Sequence, residues 1–246
     1  LGAHTGVLAN ALAADGRHVI RSDISPAFCS PPLSVCADEE ALPFADGSFD
    51  LAASALSLHW VNDLPGALIQ LQKALKPDGL LLAALPGAGS LAELRQALLR
   101  AETEIRGGAA MRVSPYLDVI DGAQLLQRTG FAMPVADADT IVVRYDSMLK
   151  LLSDLRGMGE TAAFADRSGP PLTRGILMRA AEIYAQEFSD PDGRIRATFE
   201  IVTLSGWAPA AGQPVPKRPG SAKVRLADAL GVREQSAGEK PGGERD

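Results

Sequence analysis

The sequence predicts an α/β fold in which helices cover a doubly wound, mostly parallel sheet. Over the first third of the chain, short apolar runs alternate with helical stretches, which is the pattern of consecutive β–α units. Two of the apolar runs end in an acid, Asp23 and Asp38, and a glycine-bearing turn at 2–6 precedes them. Ligands of doubly wound sheets bind at the carboxyl ends of the strands. We therefore expect the turn and the two acids at one edge of the sheet.

The chain opens on the turn Leu1-Gly2-Ala3-His4-Thr5-Gly6, and a helix is predicted from Val7 to Ala14, ending at Asp15-Gly16. Glycine lets the backbone turn tightly and approach a ligand, while a following helix directs unpaired N–H groups toward it. Such a turn normally follows a buried parallel strand, and no strand precedes it in this sequence. We therefore expect the first strand of the sheet to be missing here.

The next elements follow from apolar runs and turn residues. We predict strands over 17–23, 33–38, 49–54 and 80–85, and an amphipathic helix over 64–75 with Leu64, Leu68, Leu71 and Leu75 on one face. The sequence Lys76-Pro77-Asp78-Gly79 is expected to end that helix and turn the chain. The run over 80–85 is apolar throughout, as is typical of a buried parallel strand.

The second half of the chain has a looser pattern. Helices are predicted over 91–105, 123–129, 148–158 and 172–188, and Ile141-Val142-Val143 is strand-like. The alternation over 195–204 indicates a late antiparallel strand. We expect one domain, with a ligand-binding half at 1–86, substrate-side helices and last strands at 87–207, and a Pro- and Gly-rich tail at 208–246 that is disordered from residue 234.

Composition excludes several classes of function. The chain has 246 residues, 46% of them hydrophobic, and a net charge of −6, which argues against nucleic acid as a partner because a phosphate backbone attracts a basic face. The two cysteines, Cys29 and Cys36, are too few for a disulfide scaffold and are expected to be reduced thiols. No apolar run is long enough for a transmembrane helix.

The glycine turn does not match the common phosphate-binding patterns. A dinucleotide fingerprint needs a further glycine where His4 stands, and a phosphate loop needs a Gly-Lys-Ser/Thr ending. A ligand without phosphate therefore fits better, and S-adenosylmethionine is such a ligand. The turn would meet its amino-acid end, a carboxylate at the next strand tip would meet its ribose, and an acid one strand further would meet its adenine. Asp23 follows Gly6 at roughly the 20-residue spacing expected of a ribose-binding acid.

At this point several motifs together resemble the class I S-adenosylmethionine-dependent methyltransferases, which have a Rossmann-like sheet with helical insertions. The motifs are the glycine turn, Asp23, Ala37-Asp38, Leu42-Pro43-Phe44, Phe49-Asp50-Leu51 and Leu75-Lys76-Pro77-Asp78-Gly79. The resemblance implies S-adenosylmethionine as the cofactor and implies methyl transfer to a protein or a small acidic acceptor. Its expected cofactor contacts are Gly2, Ala3, His4, Gly6, Asp23, Ile24, Asp38, Glu39 and Leu56. Even so, we expect the side chains of Glu39 and Glu40 to be largely solvated.

Later segments narrow the resemblance. The segment at 57–63 is similar to one shared by malonyl-carrier-protein O-methyltransferases and the complex I assembly factor 5 family, and the stretches at 154–159, 197–200, 206–209 and 219–222 resemble the proteobacterial form of the second group. This implies a cytoplasmic or matrix-side protein, in bacteria at times peripheral to the inner membrane, whose protein partner is a complex I subunit. Relatives of that group are linked to arginine hydroxylation. An assembly factor is therefore the alternative to a methyltransferase.

His59 is the candidate catalytic base, because it follows a strand tip and imidazole titrates near neutral pH. The alternative is a packed histidine beside Trp60. His59 and Asp63 would supply two of the three ligands of an iron site made of two histidines and one carboxylate. The sequence offers no convincing second histidine for it, so we assign no metal. Four residues, each of which is also a common surface partner, are further candidates to orient a substrate: Arg144, Tyr145, Arg156 and Arg167. The stretch Thr161-Ala162-Ala163-Phe164 lacks the asparagine that is typical of the family at this point.

Overall fold

A computed structural model of the chain describes residues 1–14, 16–30, 33–161, 170–214, 220–221 and 223–233. The chain divides into two compact units, Leu1–Ala211 and Gly212–Asp246. The predicted disorder over 234–246 concerns residues outside the described ones, as do Arg167 and 162–164.

In the first unit, helices and strands alternate over the amino-terminal part and then give way to helices and two long strands. The helices are α1 (Val7–Ala13), α2 (Leu64–Ala74), α3 (Ala92–Arg106), α4 (Val119–Arg128), α5 (Met148–Gly157) and α6 (Arg174–Glu187). The strands are β1 (Arg21–Asp23), β2 (Ser34–Cys36), β3 (Phe49–Ala55), β4 (Leu75–Pro86), β5 (Ala132–Tyr145) and β6 (Ile195–Trp207). Short 3-10 turns lie at Pro26–Phe28 and Leu58–Trp60.

The strands form two sheets. β1 pairs with β2 in parallel, and the second sheet has the order β3-β4-β6-β5. In that sheet β3 and β4 are parallel, whereas β6 runs antiparallel to both of its neighbours. The predicted α/β fold with a late antiparallel strand is confirmed, and β6 makes the sheet mixed, since β3, β4 and β5 all run in the same direction.

The predicted turn at 76–79 lies inside β4. α2 ends at Ala74, and Leu75 already pairs with Phe49 of β3. The pairing then jumps to Leu80 opposite Leu51, and Asp78 has a left-handed φ of 62°. The Pro-Asp-Gly sequence thus ends the helix as predicted, but it forms an irregularity at the start of the strand instead of a separate turn.

Two hydrophobic clusters hold the second sheet and its helices. One cluster joins α3, α5 and α6 to the first residues of β6, and it includes the fully buried Tyr184. The other joins α2 and α4 to β4 and the rest of β6. Because β6 belongs to both clusters, it is the strand on which the core is built.

The amino-terminal part is loosely packed. Helix α1 has no buried residue, and Val7 is 75% exposed despite the apolar spacing that predicted the helix. α1, β1 and β3 line an apolar cleft of about 1180 Å³ that also includes Phe44 and Leu71. In the described part of the chain, no strand pairs with the edges of β1 and β3 that border this cleft. The apolar side of α1 therefore borders open space.

The second unit contains one described helix, α7 (Leu226–Leu230), which the sequence analysis did not predict. Glycine 231 follows it in a left-handed conformation, with φ of 63°. Across both units, none of the described helices is long and apolar enough to cross a membrane.

Candidate active site

The glycine turn is held between the carboxyl ends of β1 and β3. The amide of Ala3 donates to the carbonyl of Ser22 in β1 at 3.0 Å, and the amino group of Leu1 donates to the carbonyl of Ala53 in β3 at 2.8 Å. Gly2 has φ of 58°, and a Cβ at this position would lie 2.2 Å from Ser57 Cβ. Glycine is therefore required here so that the turn can approach the segment after β3.

Asp23 ties the turn to the tip of β1. Its side chain is buried, since the residue is only 7% exposed. Oδ2 accepts a hydrogen bond from the amide of His4 at 2.8 Å, and Oδ1 accepts one from the amide of Ser25 at 2.9 Å. Each carboxylate oxygen has a second acceptor position. Asp23 can therefore hold the turn and still accept a hydrogen bond from a ligand hydroxyl.

The acids after β2 have separate contacts. Asp38 is exposed, and its Oδ1 accepts from the amide of Glu40 at 2.9 Å. Glu39 is buried and accepts from Ser57 Oγ at 2.8 Å, whereas Glu40 Oε1 accepts from the amides of Asn62 and Asp63. The expectation of a solvated side chain is wrong for Glu39, which is buried against Ser57, whereas Glu40 is partly exposed while it binds the segment that follows β3.

Two apolar side chains stand exposed beside these acids. Ile24 follows Asp23 and is 61% exposed, and Leu56 follows β3 and is 48% exposed with φ of 55°. The amide of Leu56 donates to the carbonyl of Ala84 in β4 at 2.8 Å, which fixes the backbone while the side chain faces outward. Exposed aliphatic groups at strand tips can pack on a flat aromatic ligand.

His59 lies in the 3-10 turn after β3, between the buried Leu58 and the partly exposed Trp60. Its side chain is 6% exposed, and Nε2 lies 3.1 Å from Glu160 Oε1. Its Nδ1 is buried and has no hydrogen-bond partner among the described residues. Asp63 does not join this pair, because its carboxylate accepts from the amide of Gly66 and caps α2.

Tyr116 and Arg95 stand close to the His59–Glu160 pair. The ring of Tyr116 lies 6.1 Å from the ring of His59. Burial raises the pKa of Tyr116, the charge of Glu160 adds to the rise, and Arg95 opposes it. The guanidinium of Arg95 donates to the carbonyls of Ala88 and Ser90, after β4. Within the described ranges, no three His, Cys, Asp or Glu side chains are grouped to hold a metal ion.

Glu160 and Tyr116 lie beside His59 but were not among the site residues predicted from the sequence. Glu160 is 101 residues from His59 in the chain, so no local pattern relates the two. The local sign in the sequence is Gly159, which follows α5. Its φ of 84° turns the backbone at the end of the helix and so sets the position of Glu160. Of the proposed substrate-orienting residues, Arg144 pairs with Asp190 at 2.9 Å, so it has the ion-pair role that is common for a surface arginine.

The chain is similar in sequence to several known proteins. Residues 1–83 match the family model described as a methyltransferase domain. Arginine hydroxylase NDUFAF5 of Danio rerio is 45% identical over 198 residues, which are 80% of this chain and 61% of that protein. Malonyl-[acyl-carrier protein] O-methyltransferase of Laribacter hongkongensis is 37% identical over 187 residues, 75% of this chain and 59% of that protein. The chain thus spans about three fifths of the length of these relatives.

Solved structures share the fold at low sequence identity. A methyltransferase-like protein of Bacillus halodurans has a TM-score of 0.57 and 16% identity, covering 85% of this chain and 90% of its own. The YcgJ protein of Bacillus subtilis has a TM-score of 0.55 and 17% identity over the same shares. At these identities the likeness concerns the fold alone.

Proposed function

We propose that the protein binds S-adenosylmethionine and transfers its methyl group, because residues 1–83 match the model of a methyltransferase domain and the chain shares the fold of methyltransferase-like proteins. The acceptor we propose is a protein side chain or a small acidic molecule. The cofactor would lie across the carboxyl ends of β1, β2 and β3, where doubly wound sheets bind their ligands.

The observation that carries this proposal is the set of hydrogen bonds that joins the three strand tips. Asp23 at the tip of β1 holds the amide of His4, and Glu39 after β2 holds the hydroxyl of Ser57 after β3. The glycine turn is packed directly on Ser57. A ligand with a polar end, a ribose and a base would find preformed contacts for all three parts along this edge.

Individual residues fit the parts of the cofactor. Asp23 has acceptor capacity left for ribose hydroxyls, and the exposed Asp38 can accept from an adenine amino group. Ile24 and Leu56 can flank the adenine ring. The glycine turn at 2–6 would lie against the amino-acid end in this arrangement, and its shape is held by the amides of Ala3 and Gly6, which donate to the carbonyls of Ser22 and Ala3. Bound S-adenosylmethionine supplies a methyl group that is already activated, so the protein's main task is to position an acceptor.

The second candidate is a cofactor-binding assembly factor for respiratory NADH dehydrogenase. The observation that favours it is the higher identity to arginine hydroxylase NDUFAF5, 45%, compared with 37% to the malonyl-carrier-protein methyltransferase. In this function the partner is a complex I subunit and the modification is arginine hydroxylation or none. We propose the cytoplasmic side of the membrane, or its mitochondrial equivalent, as the location for both candidates.

A labelling experiment separates the two candidates. The full-length protein is incubated with methyl-labelled S-adenosylmethionine and an extract from cells that lack it, and the products are analysed by mass spectrometry. We expect label in a discrete acceptor, with a mass increase of one methylene group. Tight cofactor binding without label in any acceptor would contradict methyl transfer. An arginine that gains one oxygen atom would identify the second candidate.

A further inference from the structure

The position of Glu160 is set by the backbone that ends α5. The amide of Glu160 donates to the carbonyl of Leu155 at 2.8 Å, and the amide of Gly159 donates to the carbonyl of Arg156 at 3.1 Å. With Gly159 at φ of 84°, these two bonds make a Schellman motif. The motif directs the carboxylate of Glu160 to His59, 3.1 Å away.

This contact determines which imidazole nitrogen carries the proton in the neutral ring. An ionised carboxylate only accepts hydrogen bonds, so Nε2 of His59 must be the donor to Glu160. Nδ1 is then unprotonated, and it is buried without a partner among the described residues. A buried acceptor without a donor is costly, so Nδ1 is a group prepared to receive one.

The surroundings of Nδ1 favour a hydrogen-bond donor over a carboxylate. Glu160 contributes a negative charge on the other side of the imidazole, and Tyr116 contributes a ring and a hydroxyl whose raised pKa keeps it protonated. The nearby cation, Arg95, directs its guanidinium to the carbonyls of Ala88 and Ser90. A bare carboxylate would meet the negative charge of Glu160, and the guanidinium of Arg95 is already engaged with these carbonyls.

His59 also lies close to the proposed cofactor contacts. It is two residues from Ser57, which Gly2 touches and Glu39 binds. An acceptor atom at Nδ1 would thus stand beside the edge of the sheet on which the cofactor is proposed to lie.

Resting on the proposed function, we propose that Glu160 is a positioning residue that fixes His59 with Nδ1 as the proton acceptor, and that the methyl acceptor presents an N–H or O–H group to Nδ1. Methylation would break the N–H or O–H bond of the acceptor and pass its proton to Nδ1 of His59. The methyl group for the new bond would come from bound S-adenosylmethionine by cleavage of its S–CH₃ bond, with a neutral thioether as the leaving group. The imidazolium that forms is paired with the carboxylate of Glu160. A carboxylate acceptor needs no such base, because it is ionised at neutral pH.

The tautomer of His59 can be measured directly. The protein has three histidines, so ¹⁵N-labelled imidazole spectra of the full-length protein at about pH 8 can be assigned with the His59→Asn variant. We expect one tautomer, with Nε2 protonated and Nδ1 bare, in the wild type and in Glu160→Gln, whose amide oxygen can still accept. Glu160→Ala should give a mixture of tautomers. The control Glu182→Ala removes an exposed carboxylate paired with Arg179 and should change nothing.

Two small probes test the acceptor class in the same spectra. Methylguanidinium carries N–H donors, whereas malonate is a dianion without them. We expect methylguanidinium to shift the Nδ1 resonance in the wild type. In Glu160→Ala the same shift should be smaller by about tenfold or more. A wild-type Nδ1 resonance that is protonated, or that fails to move with methylguanidinium, would overturn the proposal, as would a shift with malonate alone.

Rates separate this inference from the proposed function. In the labelling reaction we expect Glu160→Ala and Glu160→Gln to lower the rate about tenfold or more at saturating cofactor, with cofactor affinity unchanged. Since Glu160→Gln keeps the tautomer, a lower rate in that variant reports the missing negative charge. Unchanged rates in both variants would contradict the role of Glu160. If the wild type labels no acceptor but His59 has the expected tautomer, the proposed methyl transfer is contradicted. The role of Glu160 in fixing the tautomer of His59 still holds in that case.

Discussion

At the scale of single residues, Glu102 shows how one buried carboxylate joins three segments. Its side chain is 1% exposed and accepts hydrogen bonds from Arg112, from the amide of Ala110 and from Arg106. Arg106 and Arg112 also donate to the carbonyls of Pro171 and Pro170. Glu102 therefore fixes the end of α3, the loop that follows it and the residues before α6.

We predict that Glu102→Ala lowers the free energy of unfolding by about 2–3 kcal/mol, because it leaves two partly buried guanidinium groups without their anion. Urea denaturation measures the change. The matched control is Glu104→Ala on the same helix, which removes an exposed ion pair with Arg179 and should cost much less than Glu102→Ala. Equal losses in the two variants would contradict the role assigned to Glu102.

The same residue predicts a pH dependence. Burial alone would raise the pKa of Glu102, but the hydrogen bonds from Arg112 and Ala110 and the charges of both arginines outweigh it and lower the pKa below its ordinary value. A lowered pKa contributes stability above the unfolded value, about 4.3, which is lost as pH falls through the folded value. Between about pH 6 and pH 3, the wild type should therefore lose stability more steeply than Glu102→Gln. Parallel stability curves would show that the carboxylate contributes nothing.

The residues of the candidate site were predictable only where a local pattern marked them. Asp23 and Asp38 end apolar runs, and their positions at strand tips follow from that pattern. Burial of Glu39 was not predictable, because it depends on Ser57, which belongs to another strand tip. Glu160 meets His59 only through tertiary structure, so the sequence indicated one half of the pair.

At the scale of elements, β6 contains Gly206, and Phe131 in the connection between α4 and β5 packs against it. A Cβ at Gly206 would lie 2.8 Å from the Cβ of Phe131, which is 4% exposed. We predict that Gly206→Ala lowers the free energy of unfolding by about 1–3 kcal/mol, since neither the strand nor the buried ring can move freely. Thermal and urea unfolding give the measurement.

The control for this prediction is Gly175→Ala in α6. There the nearest described atom to an added Cβ is Thr173 Oγ1 at 4.0 Å, so alanine should be neutral or stabilise the helix by up to about 1 kcal/mol. A destabilisation at Gly175 as large as that at Gly206 would indicate that glycine itself, and not the contact with Phe131, explains the effect.

Strand β5 shows why element boundaries were predicted less well than element types. Only Ile141-Val142-Val143 was predicted, because Asp137 and Asp139 interrupt the apolar pattern. In the structure both aspartates are exposed residues of a long edge strand, paired with Thr203 and Ile201 of β6. Pairing with β6 extends β5 over residues whose own propensity for a strand is low.

At the scale of the whole molecule, the fold class was predictable, whereas the pairing of particular strands was not. Periodicity indicated an α/β fold with a late antiparallel strand, and the structure has both. The sheet is interrupted between β1 and β3 by the cleft of about 1180 Å³. Periodicity within a segment says nothing about which strands become neighbours. The expectation of a missing strand came instead from the glycine turn at 2–6, which no strand precedes in the sequence.

The fold does not specify the acceptor. Proteins at 16–17% identity share this architecture, and one architecture hosts many activities. The cofactor class follows from motifs at strand tips, which are local in sequence. The proposed acceptor site involves Glu160, which follows α5, and Tyr116 in the loop before α4, and both become neighbours of His59 only in the folded chain. Its chemistry therefore had to be inferred from the contacts of His59.

The most direct test of the account is calorimetric titration of the full-length protein and its Asp23→Asn variant with S-adenosylmethionine. We predict saturable binding by the wild type and an affinity at least about tenfold lower in Asp23→Asn, since a charged hydrogen-bond acceptor for the ribose is lost. Asp46→Asn, an exposed turn residue, should bind as the wild type does. No binding by the wild type, or equal affinities in wild type and Asp23→Asn, would contradict the central claim.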